Sequence, residues 1–151
     1  MTPSRIDLKV VDDRLQAVTE YLKQLRELPA ASRDEFVADH RNPNSAESLL
    51  RRALEALLDV TRHLLAKGHG RGALEYGEVA RLAGELGLIE DAALAMRFGE
   101  MARFRNRLTH FYREVTGEEL YAIVANELDD IAAVAEALAK AAARAAGAGA
   151  G

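Results

Sequence analysis

Apolar residues recur every three or four positions along almost the whole chain, the spacing that places them on one face of an α-helix. The first such stretch spans about residues 4–28 and ends before Pro29. Its apolar seam consists of Val11, Leu15, Val18, Leu22 and Leu25. The stretches at about residues 44–67 and from residue 117 onward have the same spacing, and no stretch alternates as a β-strand would. The pattern therefore predicts an all-α fold.

Polar residues that favour helix ends mark where these helices begin. Ser32 with Glu35, and Thr116 with Glu119, have the spacing of capping boxes, in which two side chains accept hydrogen bonds from backbone N–H groups at a helix start. Asn44 predicts a capped start for the third helix. With a short second helix near residues 36–37, these signals predict about five to six helices.

The same signals predict one domain. A turn rich in glycine follows the third helix, a fourth helix is expected at residues 76–86, and a fifth begins near residue 90. We therefore expect a single up-and-down helical bundle over residues 1–146. Residues 147–151 consist only of glycine and alanine and are predicted to form a flexible tail.

Composition narrows the class of protein. The chain has 151 residues, enough for one domain to bury a hydrophobic core. It has no cysteine, which excludes a disulfide scaffold and a thiolate metal site. The formal net charge of −4 argues against a surface that coats nucleic acid broadly. No apolar stretch approaches the length of a membrane span, so we expect a soluble cytoplasmic protein.

Positive charge is concentrated in the fifth predicted helix and just after it. The clustered residues are Arg97, Arg103, Arg105, Arg107 and Arg113. A local basic cleft of this kind could bind one short RNA segment. The structural alternative is a solvated helix face covered with ion pairs.

Arg105 occupies a position where the helical pattern calls for an apolar residue. Spacings of three and four link it to the seam Leu94, Phe98, Met101, Leu108 and Tyr112. A guanidinium keeps its charge, so at such a position it needs an anionic partner, a wet cleft or a subunit interface. His110 follows five residues later, and histidine is the side chain best suited to proton transfer near neutral pH.

The segment from Arg105 to Tyr112 has the form Arg-x4-His-x-Tyr, which resembles the Arg-x4-6-His motif of the HEPN superfamily. The tyrosine two residues after the histidine is similar to the HepT-type toxin branch, as is the predicted central helix at residues 53–65. The resemblance implies an HEPN-like bundle that forms a homodimer. It also implies a toxin that cleaves cellular RNA as a metal-independent endoribonuclease, without a cofactor. An MNT-type nucleotidyltransferase antitoxin would neutralise it by AMPylating Tyr112.

Chemistry assigns roles that agree with this resemblance. His110 suits general acid or base catalysis, and Arg105 can present a forked cation to the phosphate oxygens. Asn106 lies four residues before His110, on the same helical face, and could orient the imidazole or hold the ligand. The candidate RNA contacts are Arg103, Arg107 and Arg113.

One geometric difficulty concerns Arg105 and His110. Five residues of an ideal helix turn through about 140°, so these two side chains would not share a face. The arginine side chain could reach around, the helix could loosen after Leu108, or two protomers could build one composite cleft. The structural alternative is an arginine at a helix end and a histidine that complements the helix dipole.

A second polar cluster lies on the third predicted helix. Glu55, Asp59 and His63 are spaced four apart and could seat a metal ion, but ion pairing with Arg51, Arg52 or Arg62 is the favoured interpretation. The resemblance places this helix near the cleft, so Asp59 and His63 are candidate supporting residues.

Two rival functions remain open from the sequence. The chain could be a non-catalytic helical module that binds a nucleotide or a partner and scaffolds a nucleotidyltransferase. It could also be a purely structural helical dimer in which the motif arises by chance.

Overall fold

The computed structural model describes residues 5–72, 74–110 and 114–150, without the side chains of residues 148–150. Within these ranges the chain forms seven α-helices and no strand. The helices are α1 (Leu8–Glu27), α2 (Arg33–Ala38), α3 (Arg41–His69), α4 (Tyr76–Glu85), α5 (Ala92–Leu108), α6 (Gly117–Asn126) and α7 (Leu128–Ala150). The prediction of an all-α fold is confirmed.

Helix α3 is the central element of the bundle, because every other helix packs against it. Its buried residues include Leu50, Leu57, Leu58, Val60 and Leu65, all fully shielded from solvent. The buried hydroxyl of Thr61 donates a hydrogen bond to the carbonyl of Leu57 at 2.8 Å, so it is not left unsatisfied in the core. The helix therefore supplies the surface on which the others are positioned.

Helix α1 buries the seam that the sequence predicts. Val11, Leu15, Val18, Leu22 and Leu25 are all buried, and they pack mainly toward α3 and α7. The helix begins at an N-cap, because the Asp7 carboxylate accepts hydrogen bonds from the N–H groups of Lys9 and Val10. The predicted caps at Ser32 and Thr116 are also present.

The start of α3 differs from the prediction. The helix begins at Arg41, so Asn44 lies inside it and is not its cap. Pro43 occupies the first helical turn, where a missing N–H breaks no intrahelical hydrogen bond. Asn42 is buried and donates to the carbonyl of Phe36 at 3.1 Å, which fixes the preceding turn. At its other end the helix is closed by Gly70, whose φ of 65° is left-handed.

The last predicted helix is divided in two, which raises the count from the expected five to six helices to seven. Glu127 adopts a φ of −119° between α6 and α7, and its N–H still donates to the carbonyl of Ile123 at 2.8 Å. The break lets α6 pack against α2 while α7 packs against α1 and α3. Helix α7 continues through Ala150, so residues 147–150 of the predicted tail are helical, and the flexibility of that tail stays a prediction.

None of the helices in the described ranges is long and apolar enough to cross a lipid bilayer.

Candidate functional site

Helix α5 places Arg105 between the core and the surface. Asp91 caps the helix by accepting hydrogen bonds from Ala93 and Leu94. Phe98 and Ala102, earlier on the same helix, are buried against its neighbours. The Arg105 side chain retains 23% of its exposure, so it is neither sealed in the core nor fully hydrated.

The guanidinium of Arg105 is fixed by three described side chains. Its Nε and Nη2 donate to one carboxylate oxygen of Glu55 on α3, at 3.2 and 3.1 Å. Its Nη1 donates to the side-chain oxygen of Asn106 at 3.2 Å. Its Cζ lies 4.6 Å from the centre of the Tyr76 ring, within the range of a cation–π contact. These three hydrogen bonds use three of the five guanidinium N–H groups, so two can be donated to an anionic ligand.

Tyr76, the first residue of α4, connects this arginine to a second one. The Cζ of Arg62 lies 4.5 Å from the centre of the same ring. The Tyr76 hydroxyl donates to Asp59 at 2.6 Å. Burial, and then this hydrogen bond, raise the pKa of Tyr76 to about 12, because both disfavour the phenolate. The hydroxyl therefore remains protonated and keeps donating to Asp59 throughout the physiological range.

The chain just after the end of α5 places His110 in the lining of the same cavity as Arg105. The helix stops at Leu108, and the next two N–H groups bond three residues back, from Thr109 to Asn106 at 3.2 Å and from His110 to Arg107 at 3.3 Å. This tighter turn changes the angular progression of the chain. The chain therefore tightens after Leu108, whereas loosening was one of the expected answers to the geometric difficulty, and the side chains of Arg105 and His110 both line one cavity.

Arg105, Asn106 and His110 all line one open cavity of about 480 Å³. Among the described residues, its lining consists of Arg62, Glu75, Tyr76, Arg105, Asn106 and His110. The three motif residues are therefore within one concave site in a single protomer. A phosphate group in this site would meet an arginine fork on one side and an imidazole on another.

A larger groove of about 650 Å³ adjoins this cavity. Asn106 and His110 line both, which makes them the boundary between the two spaces. The groove is partly apolar, with Leu50, Met101 and Phe104 among its lining residues. It also carries three carboxylates, those of Glu100, Glu127 and Asp130.

Two of the three candidate RNA-contact arginines line this groove. Arg103 and Arg107 are both present. Arg107, however, donates to both carboxylate oxygens of Glu119 at 2.7 and 3.1 Å, and this hydrogen-bonded pairing lowers the pKa of Glu119. In the structure Arg107 thus connects the end of α5 to the first turn of α6. Arg103 is exposed, so of these two arginines it is the better candidate for an RNA contact.

Two further candidate residues follow His110 in the sequence. Tyr112, the predicted modification acceptor, and Arg113, the third predicted RNA contact, lie outside the described residues. Their roles stay predictions.

The polar stripe on α3 forms ion pairs, as the favoured interpretation of the sequence predicted. Glu55 lies 3.6 Å from Arg51, and Asp59 lies 3.7 Å from Arg62. Within the described ranges no cluster of three or more potential ligands could hold a metal ion.

Of the two candidate supporting residues, Asp59 and His63, only Asp59 shares a side-chain hydrogen bond with a described residue of the cavity lining. Asp59 reaches the site through the Tyr76 hydroxyl. His63 lines neither cavity, and its Nε2 accepts a hydrogen bond from the Asp7 N–H at 3.1 Å. Burial lowers the pKa of His63, which suits this role as an uncharged acceptor at the start of α1.

The sequence alone does not identify three residues of the cavity lining as functional candidates, namely Arg62, Glu75 and Tyr76. Tyr76 was noted only as the start of a helix, and Arg62 only as an ion-pair partner. No spacing along the chain links either residue to Arg105, because they belong to different helices. The available signal was indirect: a guanidinium in an apolar seam requires partners from elsewhere in the fold.

Comparison with known proteins identifies the family and the fold of the chain. Residues 18–138 match the family model described as "Ribonuclease HepT-like". The tRNA nuclease HepT of Aphanizomenon flos-aquae is 22% identical over 118 residues, which cover 78% of this chain and 80% of that protein.

Two solved structures have the same fold. One is the tri-AMPylated HEPN toxin of Shewanella oneidensis in complex with its MNT antitoxin, with a TM-score of 0.76, 18% identity, and coverage of 85% of this chain and 96% of that one. The other is a crystal structure of a toxin–antitoxin with AMP-PNP, with a TM-score of 0.74, 17% identity, and coverage of 85% and 97%.

Proposed function

This chain belongs to the ribonuclease HepT-like family, and on that basis we propose that it is an endoribonuclease that acts on cellular RNA as the toxin of a toxin–antitoxin pair. One observation carries the proposal: Arg105, Asn106 and His110 line a single open cavity. The similarity to a tRNA nuclease supports the same class of substrate.

The chemistry of the cavity suits cleavage without a metal ion. The ribose 2′-oxygen would attack the adjacent phosphorus and lose its proton, while the bond from phosphorus to the 5′-oxygen breaks and that oxygen gains a proton. His110 would serve as the acid or base in these transfers. Arg105 would stabilise the crowded anionic phosphate through its two remaining N–H groups. The products would be a cyclic phosphate and a 5′-hydroxyl end.

The carboxylates near Arg105 support a cationic mechanism over a metal-assisted one. Glu55 and Asp59 each face guanidinium groups, at distances between 3.1 and 3.8 Å. Carboxylates held in this way position the arginines and do not converge on a common point where an ion could bind. Asn106, which accepts a hydrogen bond from Arg105, is the candidate for orienting the ligand.

Purified protein incubated with RNA in the presence of excess chelator tests the proposal. We expect cleavage that chelator does not slow, with products that carry cyclic phosphate ends, detected by mass spectrometry. RNA that stays intact while still binding to the protein would support the rival function of a non-catalytic nucleotide- or partner-binding module that scaffolds a nucleotidyltransferase.

Regulation by a partner is the second part of the proposal. Tyr112 follows His110 by two residues, and an MNT-type nucleotidyltransferase antitoxin would transfer AMP to its hydroxyl. We expect the attached nucleotide to compete with RNA for the cavity, because its phosphate carries the negative charge that Arg105 would bind. The fold shared with an AMPylated toxin in complex with an MNT antitoxin supports this partner. The active species would be a homodimer, as the resemblance to HEPN proteins implies.

Replacement of Tyr112 by phenylalanine is expected to abolish transfer of AMP by the partner and to spare most of the RNA cleavage, because only the acceptor oxygen is removed. Incorporation of labelled AMP, followed by the cleavage assay, measures both effects. Tyr21→Phe, in helix α1, is the matched control and should accept AMP like the parent protein. Equal labelling of Tyr112→Phe and the parent would exclude Tyr112 as the acceptor.

A further inference from the structure

The arginines around the cavity outnumber the carboxylates that hold them. Glu55 pairs with both Arg51 and Arg105, at 3.6 and 3.1 Å. Asp59 pairs with both Arg14 and Arg62, at 3.8 and 3.7 Å. Two carboxylates therefore serve four guanidinium groups, and a surplus of positive charge remains. Glu75 in the cavity lining offsets only part of it.

Arg62 is the least restrained of the arginines that line this cavity. It is 40% exposed, and its guanidinium lies 3.7 Å from Asp59, which is too long for a hydrogen bond. Within the described ranges its buried Nε has no hydrogen-bond acceptor. The contact that fixes its position is therefore the Tyr76 ring, 4.5 Å from its Cζ. Its terminal N–H groups are available to a ligand.

The ring of Tyr76 is in cation–π contact with both arginines of the cavity, Arg62 and Arg105. Both guanidinium carbons lie within 4.6 Å of the ring centre, and both arginines line the cavity with His110. The ring is itself held by the 2.6 Å hydrogen bond from its hydroxyl to Asp59. The Tyr76 ring therefore contacts both cavity arginines, and for Arg105 this contact adds to the hydrogen bonds that Glu55 and Asn106 accept.

We propose that Arg62 and Arg105 form a two-cation clamp for the RNA backbone phosphate, and that Tyr76 is the positioning residue that holds both guanidinium groups in place. Hereafter, this is called the clamp. It rests on the proposed endoribonuclease function and adds to it a second phosphate-binding residue, from α3, and a positioning residue, from α4. Neither belongs to the Arg-x4-His motif.

Binding of uniformly 2′-O-methylated RNA tests the clamp separately from cleavage, because the methyl group blocks the attacking oxygen. Affinity is measured across a range of salt concentrations for the parent, Arg62→Gln, and the control Arg81→Gln. Arg81 is exposed on α4, where it forms an ion pair with Glu85, and it is not among the described lining residues of either cavity. The logarithm of the affinity falls as the logarithm of the salt concentration rises, and loss of one phosphate contact should decrease the steepness of this fall by about 0.7. We expect this decrease, and roughly tenfold weaker binding, for Arg62→Gln alone.

The role of Tyr76 is tested by conservative and non-conservative replacements. Tyr76→Phe keeps the ring and should retain most of the affinity, whereas Tyr76→Leu should weaken binding nearly as much as Arg62→Gln. The loss caused by Tyr76→Leu should shrink in the Arg62→Gln background, because the two residues act through one contact. If Tyr76 had a purely structural role, Tyr76→Leu would lower the unfolding temperature, and it would reduce RNA affinity by the same factor in the parent and in Arg62→Gln. If Tyr76→Leu loses its helical circular dichroism, the binding affinities of Arg62→Gln and Tyr76→Phe test the clamp instead.

The outcomes separate the two proposals. If the parent cleaves unmodified RNA but Arg62→Gln binds the methylated RNA with the affinity and salt slope of Arg81→Gln, the clamp is wrong and the endoribonuclease stands. If the parent does not cleave RNA but Arg62→Gln still weakens binding and flattens the slope, the clamp stands and the endoribonuclease is wrong.

Discussion

Replacement of His110 by alanine is expected to slow RNA cleavage by about 100- to 10,000-fold, the usual contribution of a positioned general acid or base. The imidazole lines the same cavity as Arg105, and the described lining of that cavity contains no other histidine. The unfolding temperature should stay close to that of the parent, because His110 is exposed beyond the end of α5.

Single-turnover cleavage of a labelled RNA in chelator measures this effect. His69→Ala is the matched control, since His69 is an exposed residue at the end of α3 and is not among the described lining residues of the cavity. A His110→Ala protein that cuts RNA as fast as the parent would exclude His110 from catalysis and leave Arg105 without a proton-transfer partner.

Replacement of Arg105 by lysine is expected to lower kcat by about 100- to 1,000-fold, although the positive charge is kept. The arginine fork holds Glu55 with two N–H groups and Asn106 with a third, and still has two to donate. A lysine ammonium has only three N–H groups in total and no planar fork, so it cannot hold its protein partners and grip a phosphate in the same geometry.

The kinetic constants distinguish this role from a merely structural one. A lysine that still binds RNA should leave KM within a few-fold of the parent while kcat falls, because the lost interaction forms in the transition state. Arg81→Lys, on the exposed face of α4, should change neither constant. Unchanged kcat in Arg105→Lys would contradict the assignment of Arg105 to phosphate stabilisation.

Much of the fold follows from local pattern. The seam of α1 is buried as predicted because helical periodicity is a property of neighbouring residues. The break at Glu127 could not be predicted in the same way: no glycine or proline marks it, and it depends on α6 packing against α2. The start of α3 at Arg41 is also hard to predict, because proline commonly marks a break in a helix, whereas Pro43 occupies a permitted position in the first turn of α3.

The candidate site likewise has a part that local sequence predicts and a part that it does not. Arg105 was identified because it violates the apolar seam of its own helix, and its roles with His110 came from a resemblance carried by a short contiguous motif. Glu55, Tyr76 and Arg62 come from other helices, and only the tertiary packing of α3, α4 and α5 brings them to the guanidinium. The charge on Arg105 implies that such partners exist, but it does not indicate which residues they are.

Cleavage of two RNA strands that differ by one oxygen tests most directly whether this cavity performs metal-free phosphodiester cleavage. One strand carries ribose at the nucleotide before the cut site, and the other carries 2′-deoxyribose there, both in excess chelator. We expect the first strand to be cut to a cyclic phosphate and the second to remain intact at that position. Equal cutting of both strands, or cutting that stops when chelator is added, would contradict the mechanism assigned to Arg105 and His110.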